Sequence, residues 1–181
     1  TGTENIMMAA TLAAGKTTLT NVAKEPEIID LAEMLNSMGA KIDGAGTDQI
    51  TITGVESLNG TEYEIPADRI EAGTYLAAAA VTKGEITIEG INPNRLMKVI
   101  EKLNSTGAEI NLGIDSISIN MKKGVPNPVD ITTAPFPEFP TDMQAQFSVI
   151  NAISSGTANI YETVFENCLL YTSDAADDRI G

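Results

Sequence analysis

The chain has 181 residues, 43% of them apolar, with mean hydropathy near zero, which suits one domain or parts of two around a real core. A net charge of −14, from 11 Lys and Arg against 25 Asp and Glu, excludes a nucleic-acid binder that works by neutralising phosphates. With no His and one Cys there is neither a zinc-type cluster nor an internal disulfide, and a general base must be Asp, Glu, Lys, Tyr or Cys.

No apolar run approaches the ~20 residues that span a bilayer, so no membrane partner is expected. No basic segment precedes an apolar stretch at the start, so no secretory leader is expected either. The single cysteine and few aromatics fit a cytoplasmic protein.

In chain order, Ile6 to Ala10 reads as an apolar helix, followed by Gly15 and an alternating strand from Thr18 to Val22. Glu25 to Met38 reads as an amphipathic helix, with Pro26 in its first turn and Ile28, Leu31, Leu35 and Met38 on one face. The phrase Gly39-Ala40-Lys41-Ile42 follows, then a strand from Gln49 to Thr53. Between them Asp43-Gly44-Ala45-Gly46 reads as a turn rather than a phosphate loop.

The same order then returns. Tyr75 to Ala80 is apolar, Gly84 follows, and Glu85 to Ile91 alternates. Pro93 to Thr106 is amphipathic with Leu96, Val99, Ile100 and Leu103 inward, Gly107-Ala108-Glu109-Ile110 echoes the earlier phrase, and Ser116 to Asn120 is the next strand. A third copy begins with Phe147 to Ala152, Gly156 and the stretch to Ile160. The unit is helix–strand–helix–strand–strand, about 70 residues long by its glycines, and the fold class is α/β.

Gly15, Gly84 and Gly156 are each read as the left-handed residue just past a helix. The first helix of each unit is apolar nearly all round, which predicts burial on most sides, with the other elements wrapped about it. Met7, Met8, Met34, Met38 and Met97 read as core filler. No cofactor box is present.

Several stretches then carry a family resemblance: Thr1 to Ala10, Lys24 to Asp30, Asp68 to Thr74, Thr132 to Pro137, Phe139 to Phe147, and Glu162 to Asn167. In order and without evident gaps they resemble UDP-N-acetylglucosamine 1-carboxyvinyltransferases, with Phe-Pro-Thr-Asp-Met-Gln-Ala-Gln the most specific block. The resemblance implies the enolpyruvyl transferase fold, an inverse α/β arrangement of two domains, each with pseudo-threefold repeats, and an active site in the cleft between them. It implies two partial domains here: residues 1–66 as the last unit of the first, and residues 67–167 as units of the second, the latter of them truncated. Residues 168–181 look like a translated sequencing adapter and are read as a non-native tail.

The implied reaction moves enolpyruvyl from phosphoenolpyruvate to the 3′-hydroxyl of UDP-N-acetylglucosamine and releases phosphate, the first committed step of peptidoglycan synthesis. It needs proton transfers and charge stabilisation but no metal or cofactor. Asp142 aligns with the family's sugar-binding general base, and Thr141, Val164 and Phe165 with substrate-contacting positions, Val164 through its backbone. Glu25, Glu27, Asp68, Arg69 and Glu166 resemble charged positions at the cleft.

Local sequence offers a second reading for each. Thr141 with Gln144 three residues on forms a capping box, and Asp142 is a first-turn acid that complements the helix dipole. Val164 and Phe165 read as a strand end packed into the core, and the charged positions as helix caps. Thr1 lies beside a nucleotide-contacting loop of the family, and Cys168 stands where the family has an arginine. With residues of the family's site missing from the sequence, the chain itself is expected to be inactive. Two rival functions are a transferase acting on shikimate 3-phosphate and a non-enzymatic repeat scaffold.

Overall fold

In a computed structural model of the chain the described residues are 2–122 and 124–165, so Thr1, Glu166, Asn167, Cys168 and the tail read as non-native lie outside them. The described residues fall into two compact units. One runs up to Pro66 and includes Pro135–Pro137; the other takes Ala67–Ala134 and the residues from Glu138 on.

The first unit consists of helix α1 (Gly2–Ala10), strand β1 (Lys16–Thr20), helix α2 (Pro26–Ser37), and strands β2 (Lys41–Asp43) and β3 (Gln49–Thr53). The strands form an antiparallel sheet in the order β1-β3-β2, with Lys16 and Lys41 both opposite Thr53. Alternation places Ile50 and Ile52 of the central strand, with Ile42, on the inner face. There they meet Met7, Ala10, Ile28, Ala32 and Leu35 from the two helices.

The second unit repeats this plan with helix α3 (Arg69–Val81), strand β4 (Glu85–Glu89), a 3-10 turn (Pro93–Leu96) leading into helix α4 (Met97–Ser105), and strands β5 (Glu109–Leu112) and β6 (Ser116–Asn120). Its sheet order is β4-β6-β5, and Glu85 and Glu109 both face Asn120. The two sheets therefore share connection order and register, and the repeat seen in the sequence is a repeat of topology. Leu96, Val99, Ile100 and Leu103 are all buried, as their spacing predicts. A third segment adds strand β7 (Ile131–Thr132), a 3-10 turn (Thr141–Met143), helix α5 (Gln144–Ala152) and strand β8 (Ile160–Tyr161).

Helix α3 meets the expectation of a helix buried on most sides. Ala72, Gly73, Leu76, Ala77, Ala79 and Ala80 are all buried, with α4, α5 and the β4–β6 sheet around them. Side chains this small let neighbours approach closely: a Cβ on Gly73 would lie 2.9 Å from the sulfur of Met143. Helix α1 departs from the expectation. Only Met7 and Ala10 are buried, while Ile6 and Met8 are 52% and 44% exposed. Its unit supplies one helix and one sheet, which cover a single side of α1, whereas α3 is covered from several. Met8 and Met97 are accordingly surface residues, not core filler.

The left-handed stop after α3 does not fall on the glycine expected. At the end of α3 the left-handed residue is Lys83, with φ 55°, and the Gly84 N–H reaches back to the Ala79 carbonyl at 2.8 Å. The same closure follows α2, where Gly39 has φ 102° and the Ala40 N–H bonds the Leu35 carbonyl at 3.0 Å. Gly15 has φ 92° but follows an intervening turn after α1 ends at Ala10. The expected turn at Asp43 to Gly46 forms after Asp43, which is the last residue of β2.

Gly54 marks the tightest backbone approach. Its N–H bonds the Gly15 carbonyl at 2.9 Å, and a Cβ there would sit 1.6 Å from the Ala13 carbonyl oxygen. A backbone oxygen cannot turn aside as a side chain can. Gly54→Ala is expected to destabilise the first unit by about 1–3 kcal/mol, the usual cost of overpacking. Urea unfolding followed by circular dichroism checks this, and an unchanged midpoint would refute it.

Candidate functional site

Strands β7 and β8 run parallel, with Ile131 opposite Ile160 and Thr132 opposite Tyr161. The pairing continues one step further, where the Thr133 N–H donates to the Tyr161 carbonyl at 3.0 Å. This brings Thr133 and Glu162 side by side at the strand ends. Thr133 is fully buried, and its hydroxyl donates to Glu162 Oε1 at 2.8 Å while accepting from the Thr163 N–H at 2.9 Å. The Thr163 hydroxyl returns a bond to the Thr133 carbonyl at 2.5 Å.

Beyond Thr133 the Ala134 N–H bonds the Phe139 carbonyl at 2.9 Å, and Pro140 leads into the 3-10 turn Thr141–Met143. The Thr141 hydroxyl donates to Glu162 Oε2 at 2.7 Å. The N–H groups of Val164 and Phe165 both donate to Glu162 Oε1 at 2.8 Å. One carboxylate thus collects two hydroxyls and two backbone amides, bonds strengthened by its charge. Burial pushes the Glu162 pKa upward, but the Phe165 amide, the Thr141 and Thr133 hydroxyls and the Val164 amide outweigh it, and the net result is a lowered pKa.

Asp142 is exposed, while both of its neighbours are fixed. Thr141 is tied to Glu162. Met143 is fully buried against Gly73 of α3. One turn further on, in α5, Phe147 packs edge-on to Phe139 with ring centroids 5.0 Å apart. The backbone carrying Asp142 is therefore anchored on both sides, and its carboxylate is presented to solvent.

Thr141, Val164 and Phe165 are brought together with Asp142's turn through Glu162. The capping box is absent: Pro140 precedes the 3-10 turn without a side-chain cap, and the Gln144 amide bonds the Ser148 hydroxyl at 3.1 Å. A 3-10 turn separates Thr141 from the α-helical start at Gln144, so the two never occupy the cap and third positions of one helix. Val164 and Phe165 are 44% and 51% exposed, which corrects the core-packing alternative for their side chains.

Of the other charged positions, Asp68 caps α3 by accepting from the N–H groups of Ile70 and Glu71 at 2.7 and 3.1 Å. Arg69 is buried in the first turn of α3, Glu27 is exposed in the first turn of α2, and Glu25 is half-buried just before it. Among the described residues no group of three His, Cys, Asp or Glu is placed to hold a metal ion, and no helix is long and apolar enough to cross a membrane. No local pattern in the sequence singles out Glu162. Its two hydroxyl partners, Thr141 and Thr133, lie 21 and 29 residues away, and pairing over such separations leaves no local periodicity to read.

The sequence profile of the EPSP synthase (3-phosphoshikimate 1-carboxyvinyltransferase) family matches residues 1–174, a span that runs past Asn167 into the stretch read as a non-native tail. The chain is 52% identical over 174 residues to a UDP-N-acetylglucosamine 1-carboxyvinyltransferase of Aeromonas salmonicida and 53% identical to one of Aeromonas hydrophila. Each alignment covers 96% of this chain and 42% of the relative, so the chain spans well under half the length of these proteins. Among solved structures, the enolpyruvyl transferase NikO from Streptomyces tendae superposes with a TM-score of 0.78 at 24% identity, over 91% of this chain and 40% of that one. An EPSP synthase from Acinetobacter baumannii superposes with a TM-score of 0.56 at 22% identity, over 86% of this chain and 37% of that one. These likenesses show the shared fold.

The lowered pKa of Glu162 sets a sign for acid sensitivity. The stabilisation its ionised form gives is complete above the ordinary Glu pKa of about 4.3 and is lost as pH falls through the lower folded value. Glu162→Gln is expected to cost about 1–2 kcal/mol at neutral pH, in the range for bonds to a charged group with some solvent access. That cost shrinks toward zero in the acid range. Denaturant midpoints of both proteins across pH check this, and a gap that widens in acid would overturn it.

Proposed function

This chain belongs to the EPSP synthase (3-phosphoshikimate 1-carboxyvinyltransferase) family, and from that premise we propose that the full-length protein is a UDP-N-acetylglucosamine enolpyruvyl transferase of peptidoglycan synthesis. The carrying observation is 52% identity, along 96% of the chain, to an enzyme named for that acceptor. The solved shikimate-type enzyme, at 22% identity, speaks only for the fold. In this reading the protein acts in the cytoplasm, where phosphoenolpyruvate and the sugar nucleotide are its substrates, without a cofactor.

The 3′-hydroxyl oxygen adds to C2 of phosphoenolpyruvate as a proton joins C3. Loss of a C3 proton then expels phosphate and leaves the enolpyruvyl ether. The hydroxyl must give up its proton during addition, and Asp142 is the group assigned to accept it. An exposed carboxylate on an anchored backbone suits this task, because a base works only when held within reach of the proton it takes. Val164 and Phe165 flank the acceptor. The Val164 N–H is already given to Glu162, so a backbone contact from Val164 uses its carbonyl and selects a hydrogen-bond donor on the ligand.

In the full-length protein Asp142→Ala is expected to lower turnover by about 10²–10⁴-fold, the usual worth of a general base, with the melting temperature little changed because the side chain is exposed. Steady-state phosphate release with both substrates checks it, and near-normal turnover would sink the assignment. The 181-residue chain alone is expected to release no phosphate from the same mixture; measurable turnover would show that it carries a complete site.

A further inference from the structure

We propose that Glu162 is a positioning residue: its carboxylate locks the Thr141–Met143 turn and the Val164–Phe165 segment into one rigid ligand-facing unit. The locking is a matter of geometry and stands whether or not the ligand is a sugar nucleotide. Its placement beside the base and the acceptor rests on the function proposed above.

The two segments are separated in sequence by helix α5 and strand β8. Each is instead joined to Glu162: Oε2 takes the Thr141 hydroxyl at 2.7 Å, and Oε1 takes the Val164 and Phe165 amides at 2.8 Å each. Glu162 is in turn held by the fully buried Thr133, whose hydroxyl donates to Oε1 at 2.8 Å. Thr133 is fixed by the β7–β8 pairing and by two bonds with Thr163. The chain of restraint therefore runs from a buried hydroxyl, through a half-buried carboxylate, to the turn that carries the exposed Asp142 and to the exposed Val164–Phe165 segment.

The chemistry of the lock is specific. All four donors need an acceptor, and only an ionised carboxylate offers acceptors at both oxygens. A carboxamide of the same shape keeps one oxygen and turns the other position into a donor, which faces either the Thr141 hydroxyl or the two amides. With its nitrogen toward Thr141, whose hydroxyl can turn to accept, Gln at 162 fills the same space but holds the Thr133 hydroxyl and the two amides without the charge that strengthens those bonds. An Asp keeps the charge but is one methylene shorter, so it reaches one segment and not both. Four bonds of this kind are more than the fold requires of a strand end, where a single cap would satisfy the backbone. Their common result is to fix where Asp142 and Val164 stand relative to each other.

The test uses two readouts. In the 181-residue chain, amide hydrogen exchange by NMR is compared for wild type, Glu162→Gln and Thr141→Val. Loss of at least tenfold protection at Val164 and Phe165 in one or both variants, with protection on α3 and β6 retained, supports the lock. Unchanged protection at both amides in both variants overturns it. In the full-length protein, Glu162→Gln is expected to raise the KM for UDP-N-acetylglucosamine about tenfold, the worth of one lost charge-assisted bond, with the KM for phosphoenolpyruvate unchanged. Glu162→Asp should recover part of that loss. Turnover and both KM values all unchanged would overturn the positioning role. If wild type responds to no sugar nucleotide while the exchange result holds, the lock stands and the proposed function fails, so the two are separable.

Discussion

Helix α3 can be surrounded only because it is small on nearly every side. Ala72, Gly73, Ala77, Ala79 and Ala80 leave room for a sheet and two helices to close on it, and Leu76 fills the remaining volume. Burying one such leucine is worth about 1.5–3 kcal/mol, but the larger consequence is positional. Gly73 admits the buried side chain of Met143, and Met143 fixes the turn that carries Asp142. The placement of the exposed carboxylate thus follows from the absence of a Cβ on the first helix of the preceding repeat. Helix α1, with the same apolar composition but less around it, shows that composition alone does not make a central helix.

The second restraint on the site is polar and of a different origin. Packing holds Met143 from one side, and Glu162 holds Thr141 from the other. Packing is indifferent to pH, whereas the carboxylate acts only while ionised. A Glu is ionised through the neutral range in any case, and the lowered pKa extends this into acid, so both restraints operate together at neutral pH. Thr133 joins the two systems, being a buried hydroxyl at the edge of the core that serves the polar network.

Much of the fold was legible in the residues. The strands Gln49–Thr53 and Ser116–Asn120 alternate cleanly, and their isoleucines do face the core. The face of Leu96, Val99, Ile100 and Leu103 follows from helical spacing alone. What failed depended on neighbours rather than on local pattern. The exposure of Ile6 and Met8 reflects how little of α1 its unit covers. The left-handed stop at Lys83 instead of Gly84 is a one-residue shift in helix length, which propensity does not fix. The capping box at Thr141 failed because a 3-10 turn intervened and a distant carboxylate claimed the hydroxyl. For the site, the motif located Asp142 and its companions, but nothing in it distinguished Glu162 from a solvated surface acid.

Asp142 and Glu162 differ in their surroundings, and this separates what each can do. Glu162 has four donors directed at its two oxygens and a pKa held down by them, so taking up a substrate proton would break the bonds that organise the segment. It is fitted to stay charged and unreactive. Asp142 is exposed, one residue from a hydroxyl that Glu162 already occupies, and takes its orientation from an anchored backbone rather than from a saturated shell of donors. Assigning the proton to Asp142 and the geometry to Glu162 is the division under which neither carboxylate must do work that its surroundings oppose.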